Sequence, residues 1–183
     1  MNIGLIDVDG HNFPNLALMK LSAWHKARGD AVEWWWGFGA YDRVYMSKVF
    51  DTTYSPDIPE PLNALEIIKG GTGYGLDNQL PDEVEHMMPD YSLYPELTKD
   101  TAYGFLTRGC PRGCHFCIVS EKEGRRSRKV ADLSEWLGGQ KYIKLLDPNL
   151  LACKEHMELL GQLGDSGAMV DFTQGLDLSL IHI

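Results

Sequence analysis

Ala102-Tyr103-Gly104-Phe105-Leu106-Thr107-Arg108-Gly109-Cys110-Pro111-Arg112-Gly113-Cys114-His115-Phe116-Cys117 is the stretch on which the rest of the chain turns. Residues 102–107 have the short apolar character of a buried strand. That strand runs into three of the four cysteines, spaced C-x3-C-x2-C. Three thiolates on one short loop can hold three corners of an iron–sulfur cube and leave the fourth iron open to another ligand. Structural zinc is one alternative, but it normally takes four Cys or His ligands. Only His115 and the distant Cys153 are at hand, and His115 adjoins Cys114, a poor position for closing a tetrahedron. The blandest alternative is three unligated cysteines, although free thiols do not usually gather in a strand-end loop without use.

Working downstream, a basic run (Arg125, Arg126, Arg128, Lys129) precedes an expected helix over 130–137, which Gly138-Gly139 ends. Tyr142 to Leu146 reads as a strand broken by Asp147-Pro148-Asn149. Lys154 to Leu163 reads as an amphipathic helix with Met157, Leu159, Leu160 and Leu163 as its apolar positions. Val170 to Thr173 reads as a strand, followed by Gln174-Gly175-Leu176-Asp177. This is β-α-β-α-β, the opening of a parallel sheet or barrel, whose ligands sit at the C-terminal strand ends. The cysteine loop, Asp147 and Gln174 all fall at that end. Arg108 and Arg112 would stabilise thiolates, and Gly109 and Gly113 let backbone amides approach sulfur. Surface solvation is the competing meaning of both arginines. Gln174 and Asp177 read equally as ligand contacts or as turn residues. Cys153 reads as a small core residue.

Working upstream, Asn2 to Val8 reads as a buried strand. A polar loop follows, then a helix with Pro14 in its first turn and Gly29 as its stop. Ala31–Trp36, Val44–Val49 and Leu65–Ile68 read as three further strands with short links. The expected fold class is therefore α/β, with a small Rossmann-like domain over 1–80. Three prolines and many acidic residues over 81–100 read as a linker containing a short helix at Asp82–Met88. The second domain covers 101–183.

The balance of 17 basic against 26 acidic residues, net −9, argues against non-specific coating of nucleic acid. No apolar run is long enough to span a bilayer, and no signal peptide is evident. Clustered rather than paired cysteines fit a reducing cytoplasm.

Cys110-x3-Cys114-x2-Cys117, with the aromatic Phe116 before the last cysteine at the end of the first strand of a βα series, resembles the radical S-adenosylmethionine superfamily. The resemblance implies a partial (β/α)6 barrel, here only its first half. It implies a [4Fe–4S] cluster on the three cysteines, with S-adenosylmethionine on the open iron. One-electron cleavage to methionine and a 5′-deoxyadenosyl radical would follow, the electron coming from a donor such as flavodoxin or ferredoxin. Phe116 would pack on the cofactor side. Gly124-Arg125-Arg126-Ser127-Arg128 resembles a basic tract that follows the cysteine loop in several members, which assigns Arg126 and Arg128 to cofactor or substrate anions. A solvated charge run is the competing meaning. Where many members carry G-G-E to bind the methionine amine, this chain has Leu145-Leu146-Asp147-Pro148-Asn149, so Asp147 becomes the candidate acceptor. A turn or helix-cap aspartate is its plainer meaning.

The amino-terminal part resembles a degenerate cobalamin-binding domain, with Asp9-x-His11 after its first strand. Pro14 stands where that motif has glycine, Ser47 and Gly70-Gly71 only loosely echo later motifs, and no helix links strands two and three. These departures weigh against cobalamin as a further cofactor. His11 is otherwise a loop histidine, and Trp34-Trp35-Trp36 a strand with one face buried. The ending Leu178–Ile183 reads as a foreign tail on a truncated frame, and such a half barrel is expected to be poorly stable and catalytically weak alone. The absence of further amino-terminal cysteines argues against a methylthiotransferase with a second cluster. A non-catalytic iron–sulfur or zinc-binding module remains the alternative function.

Overall fold

The computed structural model describes residues 1–180; residues 181–183 of the unusual ending lie outside the described residues. The chain divides into two compact units, Met1–Pro95 and Glu96–Ile183. No helix among the described residues is long and apolar enough to cross a membrane.

In the first unit, four parallel strands are ordered β2-β1-β3-β4. They are β1 (Asn2–Asp7), β2 (Ala31–Trp34), β3 (Tyr41–Ser47) and β4 (Ala64–Gly70). The central strands are buried on both faces along Ile3–Asp7 of β1 and Val44–Ser47 of β3, and there they read as short apolar runs, Ile3–Ile6 and Val44–Met46. Helix α1 (Leu16–Ala27) starts after the expected Pro14, because Asn15 is its cap. The Asn15 side chain accepts from Leu18 N and donates to Ser47 Oγ, so the cap also anchors α1 to the end of β3. One apolar layer joins Ile3, Leu5 and Tyr45 to Leu18 and Leu21 of α1. The other face is filled by Ile6, Tyr41, Val44 and Met46, with Trp35 packed on it. The tryptophan run thus splits: Trp34 joins the first layer, Trp35 the second, and Trp36 is exposed.

Residues 81–95 lie within this unit. Helix α2 (Asp82–Glu85) is a single turn whose Val84 is buried in the first apolar layer. Asp90 accepts from Ser22 Oγ and Lys26 Nζ on α1, and Tyr94 Oη donates to Asp7 at 2.7 Å. Burial first, then that bond, raises the Tyr94 hydroxyl far above its ordinary value.

Helix α3 (Pro95–Thr98), a single turn, precedes β5 (Thr101–Gly104). The second unit is a parallel sheet, β5-β8-β9, with β8 (Tyr142–Leu145) between β5 and β9 (Met169–Phe172). A two-stranded antiparallel ribbon joins β6 (Thr107–Arg108) to β7 (Arg128–Lys129) and brackets the cysteine loop, which carries the one-turn helix α4 (Val119–Lys122). Helix α5 (His156–Asp165) buries Leu159 and Leu163 one turn apart, while Met157 is exposed, off the expected stripe.

Two local expectations are corrected. The helix expected over 130–137 is only a 3-10 turn, Leu133–Glu135. Val130 N instead bonds Leu106 O, keeping the chain extended, and Asp132 and Glu135 form a capping box. Gln162 of α5 accepts from Leu133 N and donates to Asp132, so the turn is held from outside rather than by helix propagation. The strand expected over 102–107 breaks at Phe105-Leu106. There the Asp147 side chain takes over from the ladder. A Cβ on Gly104 would collide with the Trp136 ring, so the last residue of β5 has to be glycine for the indole to lie on it.

In the first unit His25 is buried between Asp30, 2.6 Å from its Nδ1, and Tyr45 Oη, 3.0 Å from its Nε2. That hydrogen bond from His25 holds the Asp30 carboxyl down at about 2, against 3.8 ordinarily. A depressed carboxylate stabilises the fold above its unfolded value and loses that contribution as pH falls through the folded one. Asp30→Asn is therefore expected to flatten the loss of stability on acidification from 3.8 to about 2, read from urea unfolding followed by circular dichroism. An unchanged acid limb would contradict this.

Candidate metal centre

Residues after each strand of the second sheet meet at its C-terminal edge. Beyond the last ladder bond, Leu146 N to Gly104 O, Asp147 is buried. One of its oxygens accepts from Leu106 N at 2.8 Å; the other accepts from Thr107 N at 2.7 Å and Thr107 Oγ1 at 2.6 Å. Burial raises its carboxyl to about 6, opposed by these donors. With three donors on its two oxygens it aims the chain that enters the cysteine loop.

The loop's base is closed by short-range bonds. Cys110 N donates to Gly124 O at 3.1 Å, and Gly109 N to Glu123 Oε2 at 3.1 Å. Glu123 Oε1 also holds Arg108 at 2.7 Å. Gly109 has φ +89°, and a Cβ there would collide with the Arg126 carbonyl oxygen, so glycine is required on both counts. Cys110 is half-buried at this base, whereas Cys114 and Cys117 are exposed, linked by the Cys117 N to Cys114 O turn at 3.0 Å. Among the described residues no group of three His, Cys, Asp or Glu side chains converges closely enough to hold a metal ion. The donor set nevertheless suits iron–sulfur chemistry, because soft thiolates select such clusters. Ligands on a loop commonly gather only as the metal binds.

The other expected site residues are dispersed around this base. Phe116 is 80% exposed, with its ring edge-on to His115. The Arg128 guanidinium donates to Glu123 O at 2.8 Å, and the Arg126 side chain is exposed. The side chain of Arg125 lies beside Gly113 of the loop. Gln174 is exposed. Cys153 is buried and donates to Glu155; burial pushes its thiol up.

Two residues matter more than their sequence signal indicated. Asp177 binds Arg112 through two bonds of 2.5 and 2.7 Å, which holds its carboxyl well below the usual range. Asn149 is buried, and its Nδ2 lies 3.5 Å from Cys110 Sγ and 3.4 Å from Asp177 Oδ2. Its Oδ1 is buried without a hydrogen-bond partner. In sequence an asparagine after Asp-Pro reads as a turn residue, which hides this placement.

In the first unit, Asp9 accepts from Val49 N, Phe50 N and Ser55 Oγ, pinning the loop after β3. The His11 ring lies edge-on to Trp34, with centroids 4.3 Å apart.

Over 123 residues the chain is 31% identical to the tRNA-2-methylthio-N(6)-dimethylallyladenosine synthase of Sulfurihydrogenibium sp. (strain YO3AOP1), a match covering 63% of this chain. The chain spans 27% of the length of that curated relative. The match supports the radical S-adenosylmethionine superfamily and suggests an enzyme. No family model matches the chain, and no solved structure matches it.

Gly109→Ala is expected to lower stability by more than about 1 kcal/mol, measured by chemical denaturation. Asp147→Ala strands two buried amides and is expected to cost at least about 2 kcal/mol. It should also speed hydrogen exchange at Leu106 and Thr107 without doing so at Ile143; uniform protection would count against the clamp.

Proposed function

We propose that this chain carries the cluster-binding part of a radical S-adenosylmethionine enzyme. The observation that bears most weight is the three-thiol loop at the C-terminal edge of a parallel βα sheet, where ligands of such folds bind. In this reading β5, β8 and β9 are the first strands of a partial (β/α)6 barrel. Cys110, Cys114 and Cys117 hold a [4Fe–4S] cluster, Cys110 from the fixed base and the other two from the exposed arc. When bound, the cluster and S-adenosylmethionine supply one-electron cleavage of the sulfonium to a 5′-deoxyadenosyl radical, the electron coming from a donor such as flavodoxin or ferredoxin in the cytoplasm.

The protein's residues then divide the remaining work. Asp147 aims the strand that delivers Cys110. Asn149 Oδ1, an unpartnered acceptor on the same turn, takes the amine-accepting role expected of Asp147, whose oxygens are already engaged. Arg125 and Arg126 supply positive charge beside the loop, and Phe116 covers the cofactor once the arc closes.

Anaerobic reconstitution with iron and sulfide is expected to load about four irons per chain and to give an electron paramagnetic resonance signal that changes on adding S-adenosylmethionine. Replacing Cys110, Cys114 or Cys117 with Ala should abolish loading, and Cys153→Ala should retain it. Stoichiometric zinc in place of iron, or a cluster signal indifferent to S-adenosylmethionine, would refute this function.

A further inference from the structure

Asn149 places a side-chain amide beside one sulfur of the triad, and its surroundings fix which way that amide points. Nδ2 faces two acceptors, Cys110 Sγ at 3.5 Å and Asp177 Oδ2 at 3.4 Å. Turning the amide over would set its oxygen against a carboxylate and a sulfur and lose both bonds, so the donor faces the sulfur. Asn149 is 2% exposed, and its backbone carbonyl accepts from buried Ser127 Oγ at 2.9 Å, which holds the residue to the segment leading into β7. Asp177 is in turn anchored by Arg112, two residues beyond Cys110. The four residues form one chain, Arg112–Asp177–Asn149–Cys110, joining the cysteine loop to the turns after β8 and β9.

From this arrangement we propose that Asn149 is a positioning residue that donates a hydrogen bond to the Cys110 sulfur and thereby sets the reduction potential of the bound cluster. The inference rests on the iron–sulfur function above. Adding an electron puts more negative charge on the sulfurs, and a neutral N–H directed at one of them stabilises that charge. The bond therefore raises the potential relative to a site lacking it. The Arg112–Asp177 pair restrains the amide from its far side, so a single donor is held to a single sulfur without a net charge being added there.

The test is a redox titration of the reconstituted full chain, monitored by electron paramagnetic resonance in the absence of S-adenosylmethionine. Asn149→Leu removes the donor while keeping the branched shape of the side chain. Asn149→Asp removes the N–H₂ group but also adds a negative charge that lowers the midpoint by itself. It therefore sets the direction of the shift, while the uncharged Asn149→Leu decides the role of the donor. Running the titration without S-adenosylmethionine separates this role from amine binding. Both are expected to shift the midpoint to more negative potential at unchanged iron content, and Asn149→Gln, which retains a donor, should restore part of the shift. Equal midpoints in wild type and Asn149→Leu overturn the inference, whatever Asn149→Asp shows, and leave the cluster reading intact. Failure of both variants to hold iron while circular dichroism shows them folded also overturns it, since the residue would then be structural. If the wild-type chain binds no cluster, the underlying function fails first.

Discussion

The cysteine loop depends on a buried carboxylate. At the ends of β5 and β8 the regular ladder stops, and the next two amides of the entering chain, Leu106 and Thr107, would be unpaired in a buried setting. Asp147 supplies acceptors for both and for the Thr107 hydroxyl. A charged acceptor makes stronger hydrogen bonds than a neutral one, which offsets much of the cost of burying it. The consequence is directional. The chain leaves the sheet at a defined angle, pairs briefly as β6 with β7, and presents Cys110 at a fixed base.

Around that base, charge is organised by local pairing rather than by net excess. Although the chain carries nine more acidic than basic charges, the cysteine loop and the tract after it concentrate arginines. Glu123 engages Arg108 with its side chain and Arg128 with its carbonyl, and Asp177 engages Arg112. Arg125 and Arg126 keep exposed side chains near the loop. A basic tract that looks uniform in sequence therefore has two kinds of member, those that close the loop and those that face outward from it.

How far the sequence could be read follows from how local each determinant is. Strand β1 was legible because a strand covered on both faces is apolar along its length, as in Ile3–Ile6, and β8 because buried Ile143 and Leu145 alternate with the more exposed Tyr142 and Lys144. The helix expected over 130–137 was not, because its first residue is held extended by Leu106 and its turn is capped from α5, contacts 24 and 29 residues away. Asp147 and Asn149 sit two positions apart in one turn, and sequence favoured the aspartate as the cofactor contact. In the fold the aspartate accepts three hydrogen bonds from the chain entering the loop, while the asparagine lies against the sulfur and keeps an unpartnered oxygen.

The sequence by itself determined the chemistry on offer: three thiols at fixed spacing, at the end of a strand that opens a βα series. Ligand type and spacing are properties of adjacent residues and survive without knowledge of the fold. Only tertiary structure decided which polar groups surround those thiols, because Asp147, Asn149 and Asp177 reach the loop and the strand entering it from turns 39–65 residues away along the chain. Hydrogen bonding is short-ranged and directional, so such partners exist only once strand order and register have brought the turns together.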